Sequence, residues 1–468
     1  MSDTLKPTLD STADFGANSW LVEEMYEQFS RDPQSVGDSW REFFSDYRSV
    51  TAPATPTTNG ASNASVPTNG TSSSNGSRVP DGSAVRSIQS ADEGAEPIRG
   101  AGAAIVSNME RSLTVPTATS FRNVPAKLLE VNRSVINGYR NRTGQSKISY
   151  THIIAYAIVR AIADAVPVMG NGYVEGADGK PQLLRRPTLN MGLAVDVAKA
   201  DGSRTLVVPV LRAADTMSFA EFVVAYEDII RKVKQNKLAV EDFQGATITL
   251  TNPGTIGTVQ SVPRLMPGQG VIVGVGSIDY PAEFQGADER ALGDLGISKV
   301  VTITSTYDHR IIQGAESGLF LKRVHELLLG EHAFYEEVFK SLGVPYEAVK
   351  WRVDVNPTDR EESMLHKQLQ IGTLIRVHRV RGHLIADIDP LRWKEPKLPV
   401  ELDPATYGLT IWDLDREFLT GGVAGTPRMT LGDLLGFLRD AYCRTIGVEY
   451  MHIQDTNEHR WIQSHFEG

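Results

Sequence analysis

The chain has 468 residues, of which 41% are hydrophobic and 22% charged, with a net charge of -10 at pH 7. That length exceeds one compact core and predicts two or more domains. The acidic balance argues against nucleic acid and anionic membrane as main partners, and the single cysteine, Cys443, excludes an intrachain disulfide or a cysteine-rich metal site.

The N-terminus carries Asp3, Asp10 and Asp14 without an apolar core, unlike a secretory signal. No apolar run reaches the roughly 18 residues of a membrane helix. Together these features predict a cytoplasmic protein. Residues 1–48 hold two short helical patterns: Leu21, Val22, Met25 and Phe29, then, after Asp32-Pro33, Val36, Trp40, Phe43 and Phe44. Helices this short bury little alone, so their aromatic faces suggest docking onto something else; a frayed terminal hairpin is the other reading. Residues 49–100 are dominated by Ala, Pro, Thr, Asn, Ser and Gly and contain no aromatic residue. They read as a disordered tether, because they cannot bury enough surface to offset chain entropy.

Residues 101–345 alternate helix and strand and predict one α/β or α+β domain. Ile153 to Val166 form an apolar helix with Thr151 as the expected N-cap and Pro167 closing it. Ser218 and Glu221 make a capping-box pattern before the next helix. Strands are expected at 190–197, 205–211, 246–251, 270–278 and 300–307, with helices near 315–330 and 331–342. Residues 346–468 look mainly helical, with stripes at Leu365, Leu369, Leu374, Ile375 and Val377 and at Leu431, Leu434, Leu435, Phe437 and Leu438. The absence of a closing element at Gly468 predicts that further residues complete this part.

The chemistry concentrates at Ser305-Thr306-Tyr307-Asp308-His309-Arg310-Ile311-Ile312-Gln313-Gly314. A histidine between a strand end and a helix start is held by rigid elements. An imidazole titrating near 6.5 is matched to take a proton from a thiol near 8.5. Attack by such a thiol on a carbonyl also needs a donor for the oxyanion. One histidine and one hydroxyl suffice. A satisfied structural histidine is the bland alternative for His309, and an ordinary strand threonine the bland alternative for Thr251.

Asp308-His309-Arg310-x-x-Gln313-Gly314 resembles the Asp-His-Arg-x-x-Asp-Gly signature of the dihydrolipoyl acyltransferases of 2-oxo acid dehydrogenase complexes. Gly245-Ala246-Thr247-Ile248-Thr249-Leu250-Thr251-Asn252-Pro253-Gly254 resembles the strand of that family whose hydroxyl stabilises the oxyanion. The resemblance implies a chloramphenicol-acetyltransferase-like fold of mixed sheet and packed helices. It makes His309 the base and Thr251 the oxyanion donor, drawn from different subunits of a trimer, with Asp308, Arg310, Gln313 and Asn252 in support. Coenzyme A would be the co-substrate. Lipoamide would arrive in trans, because the chain lacks the Asp-Lys-Ala turn that carries a lipoyl lysine. Gln313 replaces the family Asp, so a carboxylate expected to pair with Arg310 is missing.

The flanks resemble a second family. Gly16-Ala17-Asn18-Ser19-Trp20-Leu21-Val22-Glu23-Glu24-Met25-Tyr26 is similar to the N-terminal arm of thiamine-dependent 2-oxoglutarate dehydrogenase. Gly447-Val448-Glu449-Tyr450-Met451-His452-Ile453 with Arg460-Trp461-Ile462 is similar to its N-terminal helical region. The order implies a succinyltransferase inserted into a 2-oxoglutarate dehydrogenase, as in the fused enzymes of actinobacteria. Partners would then be a lipoyl-bearing acyltransferase subunit and dihydrolipoyl dehydrogenase, around a homo-oligomer. Thiamine diphosphate and Mg would belong to residues beyond Gly468. His383, His452 and His459 match no metal-ligand spacing, and no metal site is expected. Two alternatives stay open: a non-catalytic oligomerising scaffold, and an acetyl-specific acyltransferase.

Overall fold

In the computed structural model the described residues are 15, 18–45, 47, 98, 101–198, 204–354, 360–389, 391, 393 and 398–468. The proposed tether at 49–100 lies outside them, apart from Ile98.

The first two helices, α1 (Ser19–Arg31) and α2 (Asp38–Ser45), form where the two aromatic stripes were expected. Next come α3 (Ala101–Ser112), β1 (Thr117–Pro125), α4 (Lys127–Arg142) and α5 (Tyr150–Asp164). A detached hairpin, β2 (Gly172–Glu175) and β3 (Pro181–Leu184), precedes β4 (Met191–Ala198), β5 (Arg204–Val207) and β6 (Val210–Leu211). Then follow α6 (Phe219–Lys234), β7 (Ile248–Thr251), β8 (Val271–Asp279), α7 (Glu289–Asp294), β9 (Val300–Asp308), α8 (Gly314–Leu328) and α9 (Phe334–Ser341). The remainder holds α10 (Arg360–Arg381), a short hairpin of β10 (Glu417–Leu419) and β11 (Arg428–Thr430), α11 (Leu431–Tyr442) and α12 (Thr456–Phe466).

Seven strands make one mixed sheet in the order β1-β9-β8-β7-β4-β5, with β6 also on β4. The pairs β4/β7 and β7/β8 are parallel and the others antiparallel. Side chains alternate across a sheet. One face therefore presents Ile248, Leu250, Val271, Val273, Val301, Ile303 and Tyr307 to the main core, shared with the apolar residues of α5 and α8. The other face carries Thr249, Thr302, Thr304 and Thr306, also buried, with Leu265 and Ile272 among its apolar cover. The mixed sheet with packed helices matches the expected architecture.

Several local expectations need correction. The N-cap of α5 is Ser149, not Thr151: Ser149 Oγ accepts the His152 N–H while His152 Nδ1 accepts the Ser149 N–H. Thr151 is drawn away by a tertiary bond, its Oγ1 accepting from Asn252 Nδ2 at 2.8 Å. The strand expected at 205–211 breaks in two at Val208-Pro209, because proline has no N–H to give a ladder. In α10 the buried positions are Ile371, Leu374, Ile375 and His378, whereas Leu365 and Leu369 are exposed. The Ser218–Glu221 capping box forms as its spacing predicts.

The arm and the C-terminal helices both pack on the sheet-bearing unit. Asn18 bridges the Val208 backbone, donating from Nδ2 to its carbonyl at 2.9 Å and accepting its N–H at 2.8 Å. Trp40 donates to the Leu238 carbonyl at 3.2 Å and lies with Phe44 against Phe243, Val240 and Val233. At the other end Arg416 pairs with Asp413 at 2.8 Å and Asp354 at 3.0 Å, and Lys127 pairs with Asp415. The cores of the sheet unit and of the C-terminal helices run together as one apolar cluster.

Candidate active site

His309 sits just past the last residue of β9 and is exposed. Its backbone is fixed by the residue just before β1: the His309 N–H donates to the Pro116 carbonyl at 2.9 Å. Its ring Nδ1 lies 3.0 Å from the Ile312 carbonyl. A carbonyl oxygen only accepts, so Nδ1 carries the hydrogen and the neutral ring keeps its lone pair on Nε2. The ring stands edge-on to Tyr307, with centroids 5.5 Å apart.

The neighbouring charges form a closed pair. Asp308 is fully buried. It takes both prongs of the Arg310 guanidinium, from Nε at 2.9 Å and Nη2 at 2.7 Å, and also the Arg310 N–H at 3.1 Å. These bonds to Asp308 push the guanidinium further above its ordinary range. The Asp308 N–H in turn donates to the Gly270 carbonyl at 3.1 Å, and the Ile311 and Ile312 N–H groups return to the Asp308 carbonyl. The loop is thus a tight turn pinned on both sides.

Gln313 is the N-cap of α8, and its N–H donates to Glu316 Oε2 at 2.6 Å. The Arg310 guanidinium, which a family-type carboxylate at 313 could pair with, is here filled by Asp308. A neutral Gln313 therefore leaves no charge unpaired.

Thr251 ends β7, flanked by Ala194 on β4 and Gly274 on β8. Within one chain it is far from His309. Tyr307 lies opposite Val271, so His309 falls level with position 269, five residues along β8 from Gly274. At strand rise this is about 17 Å along the sheet, with β8 also intervening sideways. Asn252 is turned to Thr151 rather than to His309. The structure brings Asp308, Arg310 and Gln313 around His309, and places Thr251 and Asn252 at the opposite end of the sheet.

Gly270 serves close packing. A Cβ on Gly270 would stand 2.2 Å from the Met169 carbonyl oxygen, so the chain before β2 presses directly against the strand that accepts Asp308. Sequence reasoning missed Tyr173, which lies under Arg310, and the acceptor role of Ile312. No local pattern marks either residue.

Elsewhere, His383 Nε2 pairs with Glu449 at 3.2 Å and the His459 ring lies 5.0 Å from that of Tyr450. Among the described residues one group of metal-type side chains clusters: half-buried Glu326 on α8 with exposed Glu331 and His332 in the turn that follows it. Arg323 also contacts His332 there, which places a cation inside the group. Among the described residues no helix is long and apolar enough to cross a membrane.

The chain belongs to the 2-oxoacid dehydrogenases acyltransferase (catalytic domain) family, whose model matches residues 90–333. A second model, the 2-oxoglutarate dehydrogenase N-terminus, matches residues 11–51. Among curated proteins the chain is similar to the multifunctional 2-oxoglutarate metabolism enzyme of Mycobacterium sp. (strain KMS), 46% identical over 98% of this chain and 40% of the relative. The protein of the same description from Mycolicibacterium vanbaalenii is 47% identical over 98% of this chain and 39% of its own length. The chain thus spans about two fifths of the curated relatives it matches. Among solved structures, the dihydrolipoamide acetyltransferase of Azotobacter vinelandii aligns with TM-score 0.43 and 23% identity over 55% of this chain and 99% of that one. A chloramphenicol acetyltransferase aligns with TM-score 0.27 and 18% identity, covering 47% and 92%.

Proposed function

We propose that this chain is a dihydrolipoyl succinyltransferase, moving a succinyl group from dihydrolipoamide to coenzyme A. The observation that carries the reading is the Nδ1–Ile312 hydrogen bond, which leaves Nε2 of an exposed His309 free to act as a base. Nε2 takes the thiol proton of coenzyme A, and the sulfur so freed attacks the thioester carbonyl. The Thr251 hydroxyl donates to the oxygen as it gains negative charge. His309 then returns its proton to the departing dihydrolipoamide sulfur, restoring the neutral ring. The separation of Thr251 from His309 within one chain supports a site shared between two copies, with Thr251 supplied by the second. Exposed Ile256, Val259 and Val262, on the segment after β7, give that copy an apolar surface to cover.

Succinyl rather than acetyl is supported by the dehydrogenase-type N-terminal match and by the 2-oxoglutarate enzymes it resembles. The scaffold alternative drew on Gln313 and on the missing lipoyl domain, and the complete Asp308–Arg310 pair speaks against the first of these grounds. We assign residues 1–48 to a dehydrogenase arm, 49–100 to a linker, 101–345 to the transferase and 346–468 to the helical start of a thiamine-dependent component. The lipoyl group would come from another acyltransferase subunit and be reoxidised by dihydrolipoyl dehydrogenase, in the cytoplasm. Thiamine diphosphate and Mg would act in the part of the curated relatives that this chain does not span.

The test is succinyl transfer between coenzyme A and free dihydrolipoamide by the 468-residue chain, wild type beside His309→Ala. Turnover in the wild type and its loss in a natively folded variant is expected. Equal turnover in both would remove His309 as the base, and no turnover in a folded wild-type oligomer would favour the scaffold.

A further inference from the structure

The β2–β3 hairpin lies outside the main sheet, and the transfer chemistry above makes no use of it. It nevertheless reaches the His309 loop by two routes. One is backbone: at the root of the hairpin, a Cβ on Gly172 would stand 2.5 Å from the Gly268 carbonyl oxygen, next to the Gly270 carbonyl that holds Asp308. The other is a side chain. The Arg310 guanidinium carbon lies 3.6 Å from the centroid of the Tyr173 ring. The same guanidinium is forked onto buried Asp308.

A guanidinium can swing about its own long side chain, and a fork onto one carboxylate fixes only its edge. The ring of Tyr173 fixes its plane as well, with the cation over the aromatic face. Plane and edge together leave Arg310 one arrangement. Through Asp308, that arrangement fixes the turn from which His309 projects. We propose that Tyr173 is a positioning residue for transfer: by stacking on Arg310 it locks the Asp308–Arg310 pair and so aims Nε2 of His309. This rests on the reading of His309 as the base.

Transfer is sensitive to aim, since about 1 Å of misplacement can cost on the order of 100-fold in rate. A brace one residue removed from the base should cost about tenfold. The experiment measures kcat and KM for succinyl-coenzyme A with free dihydrolipoamide in the 468-residue chain. Tyr173→Phe keeps the aromatic face and should stay within about twofold of wild type. Tyr173→Leu keeps bulk but loses the face, and should lower kcat about tenfold with KM within about twofold. Arg310→Lys keeps the charge and loses the planar fork, and should show the same kcat loss. Because the two residues act in series, adding Tyr173→Leu to Arg310→Lys should cost nothing further.

A Leu variant with wild-type kcat overturns the proposal. So does a Phe variant as slow as the Leu variant, or losses that multiply in the double variant. Where Tyr173→Leu fails to fold by circular dichroism, Arg310→Lys with wild-type kcat overturns it instead. Inactive wild-type protein would sink the functional reading and is thereby distinguished from a failure of the brace.

Discussion

Replacing Asp308 by alanine tests the loop most directly. The carboxylate accepts three hydrogen bonds from Arg310, two of them from the charged guanidinium. Bonds to charged groups contribute about 1.5–3 kcal/mol each, and removing one partner of a buried pair costs more than that. Arg310 keeps 28% of its side chain exposed, however, so the freed guanidinium can turn to water. The net loss should therefore be about 2–3 kcal/mol rather than the full sum. A loss of that size should lower Tm by roughly 5 °C. His309 retains its own two anchors, the Pro116 and Ile312 carbonyls, so its tautomer survives while its aim loosens. We expect kcat for succinyl transfer to fall between about 10- and 100-fold with KM for coenzyme A little changed. Initial rates beside a thermal melt would read both quantities. Full kcat in a variant that has lost the expected stability would refute the coupling of the pair to His309.

Other outcomes follow from the same geometry. Asn18→Ala leaves the Val208 N–H and carbonyl without their side-chain partner, at about 1–3 kcal/mol, and should loosen the arm. Faster protease cleavage before Arg31 would report it, and an arm equally protected in the variant would contradict the clamp. Gln313→Asp should change transfer by less than about threefold, because Arg310 is already satisfied by Asp308 and position 313 takes part in the cap through its backbone N–H, which the substitution keeps; a tenfold gain would show that a carboxylate there matters. Burial pushes both His378 and His152 down to about 4. The unfolded chain, titrating near 6.5, binds protons that the native state refuses, so stability should fall as pH drops from 6.5 to 4 and level off below. Each histidine contributes on the order of 3 kcal/mol to that loss. Urea midpoints of wild type and His378→Leu at pH 7 and 4.5 would check it, and an identical acid sensitivity in both would contradict it.

Local chemistry was legible in the sequence. Ser218 and Glu221 cap α6 because both partners lie within one turn, and the apolar run from Ile153 makes α5 because burial on nearly every face needs no distant information. His309 could be placed because a strand end and a helix start are both signalled by neighbours in the chain. Strand β1 and helix α4 escaped notice: β1 alternates weakly at a sheet edge, and α4 carries Asn132, Asn137 and Gly138 in its interior.

What the tertiary structure alone decided is which partner each polar group takes. Thr151 has a cap's chemistry, yet Asn252, 101 residues away, claims its hydroxyl. The fork of Arg310 goes to Asp308 rather than to position 313, because the turn buries the Asp308 carboxylate within reach while α8 uses 313 as its cap. Tyr173 meets Arg310 only because Gly172 and Gly270 let two backbones touch. Thr251 and His309 share motifs with one family but stand at opposite ends of one sheet, since strand register is set by burial over the whole core. A sequence names the groups capable of a bond; competition among them in a packed, nearly dry interior selects the bonds that form.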